Sequence, residues 1–426
     1  MTVYVGSQDP EVTATFGVAF QDRFDRTNGV QYVKGDTTGV DTNWFPVAYP
    51  EPSGSEPDTY NVSADGTGQF TTISGAIAQA VSDGVSSANP KQIKVFPGTY
   101  PEPLTCVAGL TITTPLPGVV ISGAVALNAL NGTVNFAGLI VFTALVTLRG
   151  DLAGVFGATF TKCFISAGFT HLGTNAGNIA GATFTDCTFS AVAPIQFQSA
   201  TVGNAGQIKV SGGNVAGVFS VDGDYRCLVE NVIQSGSAFV GSGFEFRNNN
   251  SGTSIFADPP IRIFNSRLNH LTVQNFSGPP ALVENCLIAA TSALPPWLGE
   301  AILCDGATLI VANSVVGEPA VAAVNNLVRV VGGQFIALKS RLITNMSCLD
   351  LDAASFAQVY SAELSASGAQ RAIEGAAGST VIFANALFLD DNRVNPFVAI
   401  LNQGTMALEF AGTDAAAPVA PGYQII

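Results

Sequence analysis

Residues 61–105 read NVSADGTGQFTTISGAIAQAVSDGVSSANPKQIKVFPGTYPEPLT and contain the most regular pattern of the chain. The two glycines within residues 65–68 predict a tight reversal, because glycine adopts positive φ at little steric cost. A helix at about residues 72–84 is predicted next, with Thr71 or Thr72 as its N-cap and its end near Gly84. Its apolar stripe at helical spacing comprises Ile73, Ala76, Ile77, Ala80 and Val81. Residues 92–96 then alternate with period two, which predicts a strand that ends at a Pro-Gly pair.

The order of residue types in this segment is D-G-x-G-x-F-x-T-I-x-x-A-I, followed by a strand and P-G-x-Y-x-E. It resembles the first segment of the pectin-lyase-like right-handed parallel β-helices, pectin methylesterases among them. The matching residues are Asp65, Gly66, Gly68, Phe70, Thr72, Ile73, Ala76, Ile77, Pro97, Gly98, Tyr100 and Glu102. The resemblance implies an all-β solenoid whose N-terminal end is covered by the helix, where exposed strand edges would otherwise pair with another chain. It is specific for the fold and not for an activity.

A loose internal repeat supports a solenoid. The segment ATFTKCFIS at residues 158–166 returns 24 residues later as ATFTDCTFS at residues 182–190. Weaker forms occur at residues 263–268, 283–288, 310–315, 336–342 and 381–388. Stacked turns place equivalent side chains in rows along the axis, with about 4.8 Å between neighbours. The expected interior rows are Phe160 on Phe184, the amides of Asn265, Asn285 and Asn313, and the thiols of Cys163, Cys187 and Cys286.

Residues 1–50 show a pattern of short strands and turns that differs from the repeat of the solenoid. Asn28-Gly29 lies between two alternating segments and predicts a hairpin, and residues 43–47 predict a third strand. This arrangement resembles the small strand modules that attach bacteriophage tail fibres and tailspikes to the virion; an unrelated β-rich domain is the alternative. Residues 51–58 contain only Pro, Gly, Ser and acidic residues, as linkers do. The predicted division is a module at 1–50, a linker at 51–60, the β-helix at 61–404 and an extended tail at 405–426.

The composition excludes several classes of partner. A net charge of −14, with 17 basic residues and no basic cluster, argues against nucleic acid. The most apolar run, residues 138–148, is too short to span a bilayer, so no membrane insertion is expected. The first residues do not resemble a signal peptide, so we expect synthesis in a host cytoplasm. The seven cysteines are scattered, and in that compartment we expect them to be reduced and buried. Without C-x-x-C spacing, and with only two histidines, no metal or cofactor site is assigned.

No catalytic residue is assigned from the sequence. The resemblance implies two aspartates, an arginine and glutamines on the central turns of a pectin methylesterase, but residues 158–168 and 182–192 carry no such set. Glycan-cleaving tailspikes use two or three carboxylates on the flank of the solenoid. The best candidates here are Asp222 and Asp224, with Glu245 one turn later, although Asp-Gly-Asp also occurs in ordinary turns.

Three other residues are candidates for binding, and none is assigned a ligand. His171 and His270 lie in different predicted turns without an evident carboxylate partner, which favours a structural role for both. Trp297 either stacks on a sugar ring or anchors its loop.

Three functions from different classes are compatible with these observations. The first is a phage virion structural protein, a tailspike, tail fibre or head appendage that binds a host surface glycan and joins other virion proteins through its N-terminal module. The second is a tailspike depolymerase, a glycanase or lyase on the same scaffold. The third, a cellular pectin-lyase-like enzyme, is disfavoured by the missing signal peptide and catalytic set. We adopt the first and leave enzymatic activity undecided, with a polysaccharide-degrading glycosidase or lyase as the activity if there is one. Outer sheets poor in charge and the threefold symmetry of phage appendages predict a homotrimer in the virion.

Overall fold

The computed structural model describes residues 59–411 with short gaps, together with four strands of the preceding segment. The gaps lie at 192–193, 200–204, 222–223, 235–237, 252–253, 259, 275–278, 290–299, 318–325, 345–346, 367–372, 377, 385–386, 390–399 and 404–406. The chain divides into two compact units, Met1–Asp58 and Thr59–Ile426.

The larger unit is the expected right-handed parallel β-helix. Within the described residues it has three parallel sheets, which we number 1, 2 and 3 in the order in which each turn visits them. Beyond the first turn, a strand pairs with the third strand before it and the third strand after it, because the chain passes through both other sheets before it returns. Side chains in the same register position therefore stack in rows along the axis.

The strand bounds of the three sheets follow from this winding. Sheet 1 contains Thr59–Val62, Lys91–Val95, Leu110–Thr113, Gly132–Ala137, Gly154–Thr161, Asn178–Thr185, Ala205–Ser211, Asp224–Glu230, Phe244–Arg247, Arg262–Phe264, Ala281–Glu284, Thr308–Ala312, Gln334–Leu338, Phe356–Tyr360, Thr380–Ala384 and Ala407–Ala411. Sheet 2 contains Gly98–Tyr100, Val119–Ile121, Ile140–Phe142, Phe164–Ile165, Thr188–Phe189, Asn214–Val215, Ile233–Gln234, Asn250–Ser251, Arg267–Leu268, Leu287–Ile288, Val315–Val316, Arg341–Thr344, Glu363–Ala366 and Leu387–Leu389. Sheet 3 contains Leu104–Val107, Val125–Asn128, Val146–Leu148, Phe169–Gly173, Ile195–Ser199, Phe219–Val221, Ala238–Ser242, Ser254–Asp258, His270–Gln274, Glu300–Asp305, Asn326–Val331, Ser347–Leu351, Ile373–Ala376 and Ile400–Gln403.

The capping helix, Ile73–Ser82, packs against the first strands of sheets 1 and 3. Thr72 is its N-cap, and the hydroxyl of Thr72 accepts a hydrogen bond from the N–H of Gly75. Glu102 accepts a 2.7 Å hydrogen bond from the N–H of Ile73, which places a negative charge at the positive end of the helix dipole. Val81 does not belong to the buried stripe as expected but is 50% exposed, because it lies past the edge of the face that contacts the sheets. The buried residues are Ile73, Ala76, Ile77 and Ala80.

The turn before the helix is closed by Asp65. Its carboxylate accepts hydrogen bonds from the hydroxyls of Ser63 and Thr67 and from the N–H of Thr67, and these bonds lower the pKa of Asp65 to about 2. Gly66 has a φ of +84°, which a side chain would oppose. A Cβ on Gly68 would lie 2.8 Å from the carbonyl oxygen of Asn61, so only glycine fits there.

A single residue in the left-handed conformation joins most strands of sheet 1 to sheet 2. The prediction that Asn265, Asn285 and Asn313 form an interior ladder is wrong, since these residues have φ values of 49°, 54° and 48° and their side chains are exposed. Asparagine suits the position because it tolerates positive φ better than most residues with a Cβ. Lys162, Asp186, Asn231, Asn248, Lys339 and Ser361 take the same place in other turns.

In several turns the next residue forms an interior ladder with its side chain, although Val232 and Ala362 at the same position cannot form such hydrogen bonds. The hydroxyls of Ser314 and Ser340 accept hydrogen bonds from the N–H groups of Cys286 and Ser314, at 3.0 and 3.2 Å, so each turn supports the one before it. Each hydroxyl also donates to the carbonyl two residues earlier in its own turn. The hydroxyl of Ser266 has the same role toward the N–H of Asn249. Cys163 and Cys187 follow their left-handed residues in the same way and are buried, as predicted.

The predicted aromatic row is confirmed and extends one turn further. The rings of Phe160 and Phe184 are stacked with centroids 5.2 Å apart, and Phe136 stacks on Phe160 at the same distance. The three residues are register partners in sheet 1 and are fully buried. They fill the interior beside the buried Ala158 and Ala182, whereas the threonines of the same strands lie on the outer side.

The N-terminal unit contains one sheet of four described strands, Val3–Val5, Asp22–Asp25, Val30–Lys34 and Trp44–Pro46. Asp22–Asp25 and Val30–Lys34 pair antiparallel, which confirms the hairpin; its turn residues lie outside the described residues. Trp44–Pro46 pairs with Val30–Lys34, as expected for the third strand. In the larger unit, the strand Ala407–Ala411 lies beyond the predicted end of the solenoid at residue 404.

Replacing Ile77 by Asp tests the capping helix. The substitution places an unpaired carboxylate against the first turn of the solenoid, so we expect a loss of about 3 kcal/mol or more in the free energy of unfolding. Val81→Asp adds the same charge on the exposed side of the same helix and should cost less than about 1 kcal/mol. Chemical denaturation of both variants measures the difference; equal stabilities would contradict the assigned contact.

The thiols provide a second test of the interior. All seven cysteines are buried and unpaired, and burial raises the pKa of Cys106, Cys304 and Cys348 to about 12. Because an exposed thiolate is the nucleophile that attacks a thiol reagent, native protein should react slowly at pH 8, whereas denatured protein should titrate seven groups. Rapid reaction of several thiols in the native state would be inconsistent with the ladder.

Candidate functional site

A cleft of about 450 Å³ opens on the outer face of sheet 1. It crosses the neighbouring strands Ala205–Ser211, Asp224–Glu230, Phe244–Arg247 and Arg262–Phe264. Along these strands exposed polar residues alternate with buried ones, so the polar side chains point to solvent. We name it the arginine cleft; its polar lining is Gln207, Arg226, Glu245, Arg247 and Arg262.

The described carboxylates near the cleft are engaged by cations. Glu245 forms an ion pair with Arg247 on its own strand. Glu230, one strand away, lies 2.7 Å from the ammonium group of Lys209 and accepts a hydrogen bond from Ser211. The bond from Lys209 is the main cause of a lowered pKa for Glu230, and the Ser211 hydroxyl adds to it. Both carboxylates are therefore paired with cations.

Two guanidinium groups of the cleft have no such partner. Within the described part of the chain, neither Arg226 nor Arg262 forms an ion pair or a hydrogen bond through its side chain, and both are exposed. The lining carries three arginines and one glutamate, a local charge of +2 in a chain of net charge −14. A guanidinium presents several N–H donors in a planar fork that matches carboxylate and phosphate groups. The arrangement can therefore hold an anionic group.

Glycine keeps the cleft open. Gly243 lines it with a φ of +73°, and a Cβ at this position would lie 2.3 Å from the carbonyl oxygen of Tyr225. A side chain is excluded there by the backbone itself.

A second cluster of functional groups lies on the outer face of sheet 3. Arg329 is surrounded by three carboxylates from neighbouring turns: its guanidinium is 3.1 Å from Asp352, 3.6 Å from Glu300 and 4.0 Å from Asp350. The side-chain amide of Asn326 donates a 2.7 Å hydrogen bond to Asp350. We name these five residues the carboxylate cluster.

Electrostatics in the carboxylate cluster favour the charged guanidinium. Partial burial opposes the charge of Arg329, but the hydrogen bond with Asp352 and the charges of Glu300 and Asp350 outweigh it, so the pKa of Arg329 is raised. Three carboxylates around one cation leave a net charge of −2. Grouped carboxylates on the flank of a solenoid are the group type that glycan cleavage requires.

The structure places only some of the candidate residues that were chosen from the sequence. Glu245 lines the arginine cleft, but its partner there is Arg247 and not a second carboxylate. Asp224 begins a strand of sheet 1, and the structure describes its backbone alone. Asp222 and Trp297 lie outside the described residues.

Both histidines are buried structural residues. The Nδ1–H of His171 donates to the carbonyl of Leu148 at 3.1 Å, and its Nε2 accepts from the hydroxyl of Tyr225 at 2.8 Å. His270 donates to the carbonyl of Glu300 and accepts from Thr272. Burial lowers the pKa of both imidazoles, which keeps them neutral.

Sequence reasoning missed both the unpaired arginines and the carboxylate cluster. The signal was the register: Arg226 and Arg262 occupy outward positions of sheet 1, and Arg329 and Asp350 are direct partners in sheet 3. The turns differ in length, so no fixed spacing in the sequence reveals these rows.

Two absences concern the part of the chain that the structure describes. There, no three histidine, cysteine or acidic side chains are grouped so that they could hold a metal ion. Nor does any helix of that part have the length and apolar character needed to cross a membrane.

No protein-family model and no curated protein sequence matches this chain. Several solved structures resemble the fold at low identity. The A-module of mannuronan C-5 epimerase AlgE4 from Azotobacter vinelandii is 13% identical, with a TM-score of 0.33 and coverage of 80% of this chain and 91% of that one. A pectin methylesterase from Aspergillus niger is 14% identical, with a TM-score of 0.22 and coverage of 66% and 84%.

A phage protein is also among the similar structures. ORF18 of Geobacillus virus E2 is 10% identical, with a TM-score of 0.18 and coverage of 92% of this chain and 70% of that one. At such low TM-scores nothing about the activity of this chain follows from these neighbours.

Replacing Arg329 by Gln tests the electrostatics of the carboxylate cluster. It leaves three carboxylates without their shared cation, so we expect a loss of about 1 kcal/mol in the free energy of unfolding at pH 7, a value kept small because the arginine is 41% exposed. The loss should shrink in 1 M NaCl, and it should diminish as pH falls, because protonation of the carboxylates removes the charges that Arg329 neutralises. Chemical denaturation at several pH values measures it.

Arg149→Gln provides the matched control, since it breaks an exposed pair with a single carboxylate, Asp151. It should cost clearly less than Arg329→Gln, because an exposed pair with one carboxylate contributes little to stability. A second substitution, Asp352→Asn, should restore part of the stability of the Arg329→Gln protein. An equal loss in the two arginine variants, or no dependence on pH, would contradict the clustered arrangement.

Proposed function

We propose that the chain is a phage virion structural protein, a trimeric β-helical tailspike, tail fibre or head appendage that binds a host surface glycan. The observation that carries the proposal is the arginine cleft, where Arg226 and Arg262 have no partner among the described residues and can bind anionic groups on a rigid sheet. The described carboxylate that lines the cleft, Glu245, is held by Arg247. Such a surface suits binding, whereas hydrolysis requires a free carboxylate pair.

The virion location is supported by the N-terminal unit. Its hairpin and third strand have the sequence pattern that resembles phage attachment modules, and it forms a compact unit separate from the solenoid. In this proposal the unit joins other virion proteins. Buried and unpaired cysteines agree with synthesis in the cytoplasm of an infected host.

The trimer is supported by apolar side chains on the outside of the solenoid. Ile233 on sheet 2 and Leu172 on sheet 3 are both at least 50% exposed. A subunit with so few charges is more soluble when part of this surface is covered by copies of itself in a closed assembly.

A depolymerase is the second candidate, and the carboxylate cluster favours it. Glu300, Asp350 and Asp352 belong to neighbouring turns on the face of sheet 3, on a different side of the solenoid from the arginine cleft. If one of these carboxylates gives up its pairing with Arg329 when glycan binds, an acid and a base become available.

Two measurements on the purified full-length chain test these functions. Light scattering should give a mass of about 131 kDa for three chains of 43.8 kDa, and a stable monomer would contradict the trimer. Incubation with capsule or lipopolysaccharide of the host should show binding without release of oligosaccharide.

Release of oligosaccharide would instead establish the depolymerase, and it should then disappear in Asp352→Asn but not in the control Asp151→Asn. Protein lacking residues 1–58 should still form trimers and bind glycan but should be absent from virions. Incorporation of this truncated protein into particles would overturn the role of the N-terminal unit.

A further inference from the structure

A second depression adjoins the arginine cleft on the outer face of sheet 1. It has a volume of about 530 Å³ and a mainly apolar lining that includes Gly157, Gly181, Val155 and Ile179. Gln207 lines both depressions. The two are therefore parts of one surface feature, which we name the axial groove.

Register explains why the axial groove runs along the solenoid. Gly157, Gly181, Gln207 and Arg226 are successive partners in neighbouring strands and form a single row on the outer face. Because Gly157 and Gly181 have no side chain, the row is a trench at their end. At the other end the row is polar, with Gln207 and Arg226. From Gly132–Ala137 to Arg262–Phe264 the groove crosses seven strands, a length of roughly 29 Å.

The two walls of the trench differ in character. On one side Val155 and Ile179 are register partners, 49% and 44% exposed. On the other side Thr159, Thr183 and Lys209 follow one another in register. One wall is apolar and the other offers hydroxyl groups, which matches a sugar ring with its C–H faces and its hydroxyls.

We propose that the axial groove binds a linear acidic glycan parallel to the solenoid axis, with its carboxylate or phosphate groups on Arg226 and Arg262 and its rings on the glycine floor. This inference rests on the proposed function and names the class of ligand and its position. The length accommodates several sugar units. The two arginines have no other partner in the described chain, and each can form paired hydrogen bonds to a planar anion.

A sparsely charged glycan fits this groove better than a nucleic acid. Nucleic acids carry a phosphate at every nucleotide and require a continuous basic track, whereas the groove has a net charge of +2 at one end and an uncharged trench at the other. Single strands also stack their bases on exposed aromatic side chains. The aromatic residues that line the groove, Phe156 and Phe244, are buried beneath its floor.

Calorimetry with the full-length protein tests the arginine end. The probes are a hexasaccharide with two glucuronate residues among neutral sugars, the same hexasaccharide with its carboxyl groups reduced to alcohols, and the neutral hexasaccharide bearing phosphate in their place. We expect an acidic probe to bind, with an affinity that falls at least tenfold in each of Arg226→Gln and Arg262→Gln and that decreases with NaCl. Arg267→Gln, which removes an exposed and unpaired arginine of sheet 2, should leave the affinity unchanged.

Gly181→Val tests the trench. The nearest atom to a Cβ on Gly181 is the carbonyl oxygen of Gln207 at 3.4 Å, an ordinary contact, so the valine fits the strand and fills the trench. We expect unchanged or higher thermal stability and an affinity at least tenfold lower for the acidic hexasaccharide. Thr147→Val, on the outer face of sheet 3, is the control for an added apolar surface residue and should bind normally.

The outcomes separate this inference from the proposed function. Preference for the carboxylated or the phosphorylated probe identifies the anion. Failure of both acidic probes to bind at millimolar concentration, equal binding of the reduced probe, or binding of a single-stranded oligonucleotide in preference overturns the inference. If the Arg226→Gln, Arg262→Gln double variant still adsorbs to host cells like wild type, the glycan binds elsewhere and the proposed function stands. If wild-type protein adsorbs to no host cells or glycans, the proposed function itself falls.

Discussion

The hydrogen-bonded turn between sheets 1 and 2 is the constraint on which the rest of this structure depends. One residue with positive φ reverses the chain, and in several turns the next residue points inward and accepts the backbone N–H of the preceding turn, as Ser314 does for Cys286. A buried N–H without a partner costs free energy, so this bond favours one alignment of neighbouring turns. A shift by one residue would move every buried side chain of a strand to the outside. The turn therefore holds the register of all three sheets.

The arginine cleft and the carboxylate cluster are both consequences of that register. The solenoid brings Arg226 and Arg262 to one face although they belong to different turns, and it surrounds Arg329 with carboxylates from others. Strand spacing is fixed by backbone hydrogen bonds, so the rows are rigid and their charges keep constant distances along the axis. A rigid row of this kind is suited to a polymer with a regular repeat, which can contact several turns at once without ordering a loop.

The two charged surfaces have opposite characters and lie on different sheets. The arginine cleft is an excess of positive charge in an acidic protein, and the carboxylate cluster is an excess of negative charge around one guanidinium. The first attracts an acidic ligand at a distance, since clefts with one sign of charge focus the field. The carboxylate cluster repels an acidic ligand. The two surfaces therefore differ in sign of charge and in the kind of ligand that each can approach.

The sequence alone determined the fold of the solenoid, its capping helix and its buried thiols, because these depend on local chemistry. Glycines at the turn, the N-cap Thr72 and the exact repeat at Phe160 and Phe184 each act over a few residues or over one turn. Only the tertiary structure decided which side chains share an outer row. The members of a row are separated by turns of unequal length. No fixed spacing in the sequence therefore predicts that Arg329 forms an ion pair with Asp352. The asparagines show the same limit. Sequence located the turns of Asn265, Asn285 and Asn313, but the positive φ at each sends its amide outward, and the interior position after each is taken by serine or cysteine. The asparagine that does place its amide inside, Asn249, was not among the predicted ones.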